Sequence, residues 1–349
     1  MREDEIPEKI RVSIGSAILL GLKHGKILVP PTTLYMLTYC PGRCLANCSF
    51  CAQARESNSD LSHLSRVVWP IFETSRVIEK IKLLKNLSSI RRICIQSLNY
   101  PNAFNDVLSL VKIIKNSTKI PISISCQPFN EKELRALREE GVERISIPLD
   151  AITEEIFERI KGRGVKGPYS WKEHIEKLKL AVKIFGRNKV TTHLIIGLGE
   201  KEIDACKIIQ FLHDYGITVG LFALTPLKGT KMEKEKQPDL NYYRRIQLLR
   251  YLIVNGLTRV ENMDFNENGE IVDFGIPLMK IHEIIQTGNP FLTSGCPNCN
   301  RPFYNERTLG PIYNFPRPLT KEEKIKIENA LIESISKRGK NLWKTNGGL

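Results

Sequence analysis

Six short, largely apolar runs alternate with amphipathic ones between residues 30 and 230, and few folds accept that order. The apolar runs cover 33–39, 90–96, 120–125, 144–148, 189–196 and 219–224. Most are rich in β-branched residues, as strands buried on both faces should be. Helical periods separate them at 74–84, 105–115, 131–140, 170–185 and 201–215. Asn130 caps the third of these and Gly141 stops it. Ser170 and Glu173 form a capping-box pattern that opens the fourth. Six β/α units in succession imply a parallel sheet. Right-handed crossovers would wrap it into a barrel or partial barrel. A doubly wound open sheet satisfies the same pattern, and periodicity does not separate the two.

Residues outside this alternation read differently. Residues 1–30 form an N-terminal helical segment around the apolar run 17–22. Residues 31–230 form the core, and 231–349 a C-terminal region. There, 242–254 reads as a helix and 270–274 as a strand, while 288–318 is rich in Pro, Asn, Gly and Arg. Thr320 and Glu323 open an amphipathic terminal helix whose apolar side holds Ile325, Ile327, Leu331 and Ile335.

No run of 18 apolar residues occurs, so a transmembrane helix is not expected. Met1-Arg2-Glu3-Asp4-Glu5 places acid where a secretory signal carries base, and the expected location is the cytoplasm. The net charge of +14 suits an acidic partner, although the lysines are spread along the chain as on an ordinary solvated surface. Nine cysteines, an odd number, include six in two short clusters. In a cytosolic chain such clusters read as metal or redox sites rather than a disulfide framework.

The first cluster follows the first strand and reads Tyr39-Cys40-Pro41-Gly42-Arg43-Cys44-Leu45-Ala46-Asn47-Cys48-Ser49-Phe50-Cys51. Loops after strands form the active face of β/α barrels. Cys44, Cys48 and Cys51 have the spacing Cx3Cx2C. Three thiolates can hold three irons of a cubane, leaving the fourth iron open to a reactant. Structural zinc prefers paired CxxC knuckles and four ligands, which this spacing fits poorly. The pattern resembles the radical SAM superfamily. That resemblance implies a partial (β/α)6 barrel with a C-terminal extension. It also implies a [4Fe–4S] cluster on Cys44, Cys48 and Cys51 whose open iron chelates S-adenosylmethionine. One electron then cleaves the sulfonium and gives a 5′-deoxyadenosyl radical. No catalytic residue beyond the cluster ligands is implied.

The resemblance extends over roughly residues 30–230. Strand five ends in Gly197-Leu198-Gly199-Glu200, similar to the superfamily's glycine motif near the adenine. Glycines allow backbone to approach a flat ring closely. Asp150 ends strand four and suits either a ribose hydroxyl or the cap of a helix beginning near Thr153. The segment Thr225-Pro226-Leu227-Lys228-Gly229-Thr230 reads as a closing turn.

The second cluster is Ser294-Gly295-Cys296-Pro297-Asn298-Cys299, followed by Asn300-Arg301-Pro302-Phe303-Tyr304-Asn305-Glu306-Arg307. A CPxC knuckle presents two sulfurs to one metal, too few for a closed site. Cys40, left over from the first motif, is the expected third ligand of an auxiliary iron–sulfur cluster with Cys296 and Cys299. Ser294 or a substrate group is a candidate fourth. A zinc knuckle pinning the tail is the alternative. Cys94 and Cys126 resemble in position two of the three cysteines of the sulfur-donating cluster of biotin synthase. Thr191, with His193 nearby, stands where that enzyme has its third. Packing residues of the barrel are the other reading of Cys94 and Cys126.

The whole chain, with its CPNCNRPFYNER segment and the IYNFPRP after it, resembles the larger component of the archaeal two-component lipoyl synthases. This implies sulfur insertion into an octanoyl chain on a lysine of a carrier protein, a companion radical SAM component and an electron donor. Other readings are a biotin synthase-like enzyme acting on a small molecule, an RNA-modifying enzyme favoured only by charge, and a non-enzymatic metal scaffold.

Overall fold

A computed structural model describes residues 6–86 and 89–336 of the chain. The parts of the expected terminal regions at 1–5 and 337–349 lie outside the described residues. In chain order the strands are β1 (Lys9–Val12), β2 (Thr33–Thr38), β3 (His63–Leu64), β4 (Val67–Val68), β5 (Ile71–Glu73), β6 (Arg92–Gln96), β7 (Ile122–Ser125), β8 (Arg144–Ser146), β9 (Val190–Ile196), β10 (Ile217–Ala223), β11 (Asp264–Phe265) and β12 (Ile271–Asp273). The α-helices are α1 (Ile14–Leu19), α2 (Thr74–Lys82), α3 (Ala103–Ser117), α4 (Glu131–Glu139), α5 (Glu154–Ile160), α6 (Trp171–Phe185), α7 (Glu202–Asp214), α8 (Leu240–Val254), α9 (Leu278–Thr287) and α10 (Lys321–Ser336).

The six expected strands are β2 and β6 to β10. They pair in parallel, each with the next in sequence. A doubly wound sheet would reverse its strand order at a switch point, and none occurs among these six. Residues from all six strands, among them Tyr35, Cys94, Ser123, Ser146, Thr191 and Phe222, line one cavity. Only a sheet curled around that space can do this, so the architecture is a partial β/α barrel with helices outside.

The N-terminal segment is not wholly helical, as was expected. Lys9–Val12 pairs antiparallel with β2, and β5 pairs antiparallel with β1, which extends the sheet to eight strands. These strands are three and four residues long, too short to show a period of their own. The helix expected at 17–22 runs instead over Ile14–Leu19, because Ser13 accepts the Ser16 N–H and starts it earlier.

The other helices begin where their caps dictate. Asn130 and Glu133 exchange both hydrogen bonds of a capping box at α4. Ser170 accepts the Glu173 N–H at α6. Thr320 and Glu323 form the same reciprocal pair at α10, with Arg317 gripping both Glu323 oxygens at 2.8 Å. Among the described residues no helix is long and apolar enough to cross a membrane.

The C-terminal region closes the side of the barrel where β10 has no further strand. Ser294 Oγ accepts the Leu221 N–H at 2.8 Å, and Arg250 Nε donates to Val219 O at 2.8 Å. These contacts occupy edge groups that would otherwise be open. Behind this edge, α8 packs between α7 and α10. Arg245 and Glu202, each 1% exposed, form an ion pair at 2.6 Å there. Glu202 also accepts the Ile271 N–H at 2.7 Å, which ties β12 to α7. Arg245→Met removes the cation of this buried pair, and the expected loss is about 3–5 kcal/mol. A urea midpoint measures it. Replacing Glu202 as well should return part of the loss.

Candidate active site

The loop after β2 is held in place by hydrogen bonds, three of them backbone to backbone, to carbonyls in four parts of the chain. Cys44 N–H donates to Gln53 O at 3.0 Å, Leu45 N–H to Asn99 O at 2.8 Å, and Ser49 N–H to Ile160 O at 2.8 Å. Asn47 Nδ2 donates to Val165 O at 2.7 Å, and Arg43 donates to Ala52 O and Ser59 O, both at 2.8 Å. A loop fixed this way presents Cys44, Cys48 and Cys51 to one side, where all three line a cavity of about 220 Å³.

None of these cysteines is in a disulfide. Burial pushes all three thiols up, Cys51 to about 12 and Cys48 further, against a partial counter-pull on Cys48 from the Lys161 ammonium. Without a metal such thiols stay protonated at neutral pH. A cationic iron cluster reverses this, because ligation deprotonates the sulfur. Asn99 N–H, 3.2 Å from Cys44 Sγ, is placed to donate to a thiolate. The three residues therefore fit a cluster by number, burial and donor supply.

Asp150 lines the same cavity. It sits in the left-handed region, at φ 65°. It does not cap the following helix, because Thr153 does so through the Ile156 N–H. Its carboxylate instead accepts from the fully buried Lys161 Nζ at 2.8 Å. Lys161 also donates to Pro148 O and lies over the Phe157 and Tyr169 rings at 5.7 and 5.4 Å. Nothing local marks this lysine, since a single Lys at the end of a helix reads as surface.

Gly197 and Gly199 adopt φ of 106° and 97°, conformations that favour glycine. A side chain at Gly197 would also press into Pro238 at 2.9 Å. Glu200 accepts the Gly197 and Leu198 N–H groups, both at 2.8 Å, and the Tyr242 hydroxyl at 3.0 Å. In this arrangement Glu200 braces the turn. The cavity wall on β9 is formed by Thr191, His193 and Ile195, just before the glycine turn.

The same cavity is lined by Cys296 and Cys299 together with Cys94. Charge on Cys296, and then on Cys299, is felt at Cys94. Cys299 Sγ lies 3.3 Å from the Tyr35 hydroxyl, and Cys296 Sγ lies 3.5 Å from Thr191 Oγ1. The expected partner Cys40 is elsewhere. It lies past the far end of β2, where its charge is felt by Cys44 and Tyr100. At ~3.3 Å per residue, β2 alone puts about 10 Å between Tyr35 and Thr38, and Cys40 lies beyond that. Cys40, the expected third member of the second set, does not line the cavity, whereas Cys94 does.

The knuckle brings Cys296 to Thr191 on β9. Ser294, the candidate fourth ligand, is engaged by Leu221 instead. Cys126 lines the cavity from the end of β7 and is buried. Among the described residues no three His, Cys, Asp or Glu side chains converge closely enough to share one metal ion. A zinc knuckle therefore lacks its ligands here, whereas irons of a cluster that each take one sulfur need no such convergence.

Two cations complete the wall of this cavity. Arg144 reaches Thr218 Oγ1 at 3.1 Å. Arg301 lies over the Phe222 ring at 3.9 Å and donates to Ser294 O at 2.7 Å. Burial, reinforced by Arg301, lowers His193 to about 3, so its ring is neutral. These roles depend on contacts across the barrel and leave no local sequence signal.

Residues 38–212, half of the chain, match the Radical SAM superfamily. The chain belongs to the radical SAM superfamily. It is 24% identical over 225 residues to the biotin synthase of Methanococcus vannielii, covering 64% of each chain. It is 23% identical over 224 residues to that of Clostridium acetobutylicum, covering 62% of this chain and 64% of the other. The chain thus spans less than two thirds of the length of these two relatives. The crystal structure of HydG, a maturase of the [FeFe]-hydrogenase, superposes with a TM-score of 0.51 at 13% identity, covering 64% of this chain and 49% of that one. That likeness concerns the barrel alone. Superfamily membership implies a [4Fe–4S] cluster and S-adenosylmethionine, which the loop residues fit.

Proposed function

We propose that this radical SAM protein inserts sulfur at an unactivated carbon of an octanoyl chain borne on a lysine of a carrier protein. One observation carries this reading: two sets of three cysteines, Cys44, Cys48 and Cys51 and then Cys94, Cys296 and Cys299, line a single cavity. When bound, the cluster on Cys44, Cys48 and Cys51 with S-adenosylmethionine supplies a hydrogen-abstracting radical, and a second cluster on Cys94, Cys296 and Cys299 supplies sulfide. A methylene carries no acidic proton, so a general base cannot prepare it. The chain's own residues hold the two reagents in reach of one carbon.

Asp150, paired with Lys161 at 2.8 Å and facing the cavity, is placed to accept from a ribose hydroxyl. Leu37, Leu98, Ile124, Ile145 and Phe222 make the cavity largely apolar, which suits an alkyl substrate and keeps water out. The net charge of +14 suits an acidic carrier. A companion radical SAM component and an electron donor belong to the same reading.

The test is anaerobic reconstitution with iron and sulfide, followed by S-adenosylmethionine, reductant and an octanoyl-lysyl peptide. Mass spectrometry should show 5′-deoxyadenosine and a peptide heavier by sulfur. Deoxyadenosine without a thiolated octanoyl product would refute the substrate assignment and leave the superfamily chemistry standing.

A further inference from the structure

A second cavity, of about 320 Å³, abuts the first. It is walled by α1, the segment before β2, the β3–β4 hairpin and residues 301–308. Ile14, Ile18, Ile27, Val29, Trp69 and Phe303 make it apolar. Tyr35, Arg301 and Tyr304 line both cavities and so form the partition between them. That partition stands beside the second cysteine set: the Tyr35 hydroxyl contacts Cys299 Sγ and accepts the Arg301 N–H. The outer rim carries the exposed apolar residues Leu28 and Val68 and the exposed bases Lys26 and Arg66. Neither the superfamily chemistry nor the cysteine motifs require such a side chamber.

We infer that this chamber is the binding site for the straight acyl chain of the substrate, entered from the Lys26–Arg66 rim, where an acidic carrier domain docks. The assignment rests on the proposed function for the identity of the chain. The chamber holds the carboxyl-side methylenes, and the distal carbons pass Tyr35, Arg301 and Tyr304 into the first cavity, where both reagents reach them. The apolar walls favour methylenes, and the basic rim matches an acidic carrier. The shared wall of Tyr35, Arg301 and Tyr304 puts the chain beside Cys299, where sulfur would be delivered.

Gly15 allows a clean test. It lines the chamber, and a Cβ added there meets nothing nearer than Pro31 Cγ at 3.9 Å. Gly15→Leu therefore fills the space without a backbone clash, and leucine is a better helix former than glycine. Binding of butanoyl-, hexanoyl- and octanoyl-lysyl forms of an acidic carrier domain to the full reconstituted chain is measured by titration. Each methylene removed should weaken binding about fourfold. Gly15→Leu should weaken the octanoyl form at least about tenfold and flatten the chain-length dependence, with iron content and thermal midpoint kept. An octanoyl carrier bearing a diazirine on the chain should cross-link to Ile18, Trp69 or Phe303.

Unchanged binding by Gly15→Leu, or cross-links confined to the Cys44–Cys51 side, would overturn the assignment. Free octanoate binding as tightly as the octanoyl carrier would overturn the docking half. If chain-length dependence and Gly15→Leu sensitivity both hold while no thiolated product forms, the acyl site stands and the sulfur-insertion reading fails. Thiolation that proceeds equally well in Gly15→Leu has the opposite meaning.

Discussion

Cys48→Ala should reduce cleavage of S-adenosylmethionine to background and remove about half of the iron. Cys48 lies in a loop whose backbone is pinned by Gln53, Asn99 and Ile160, so no neighbouring sulfur can move into its place. The cluster would be left with two protein ligands, where three are needed to leave a single iron open. The side chain is small and the loop keeps its bonds, so the barrel should remain folded. Cys206→Ala is the matched control. Cys206 is buried against Met263 at 3.4 Å, away from the cavity, and its loss should change neither iron nor cleavage. The measurements are iron content and 5′-deoxyadenosine after anaerobic reconstitution. Cleavage that survives in Cys48→Ala defeats the assignment of this loop.

The second large effect separates Cys94 from Cys40. With two cubanes the chain should carry about eight irons, falling to about four in Cys94→Ala. Cleavage of S-adenosylmethionine should persist in that variant, because the loop after β2 is untouched, but sulfur transfer to an octanoyl peptide should vanish. Cys40→Ala should keep all the iron and the transfer. The two outcomes exchange places if Cys40 is a ligand. The spectroscopic signature of the remaining cluster in Cys94→Ala, compared with that in Cys296→Ala, shows whether both variants have lost the same one. Different residual spectra would mean that Cys94 and Cys296 do not share a cluster.

The sequence reveals the parts of the molecule whose causes are local. Each of the six core strands is a buried apolar run, and each lies within a few residues of its expected place. Asn130, Ser170 and Thr320 cap the helices they were expected to cap, because a cap needs only its own next three residues. Barrel and open sheet are separated only by strand order, which is a tertiary property. The short antiparallel pairing of β1 with β5 carries no period and was missed.

At the site, Cys44, Cys48 and Cys51 are legible because one loop carries all three. The second set draws residues 94, 296 and 299 from places some 200 positions apart. Closeness along the chain favoured Cys40, but Cys94 is the cysteine that lines the cavity with Cys296 and Cys299. Asp150 offered two roles, and its left-handed backbone with the buried Lys161 removes the capping one. Arg301 was visible only as part of a motif, and nothing local announces that its guanidinium lies on Phe222.

That the tail from Ser294 to Arg301 forms one wall of the cavity has a consequence for biogenesis. A ribosome releases the loop at 44–51 and the strand bearing Cys94 long before it releases the knuckle, and folding proceeds from the N-terminal side during synthesis. The half-made protein can thus present its first three sulfurs to an iron donor while the second trio still lacks two members. On the function proposed above, maturation would acquire a built-in order, with the cofactor-cleaving centre able to load first and the second set of cysteines completed only when the last β10 edge groups are covered.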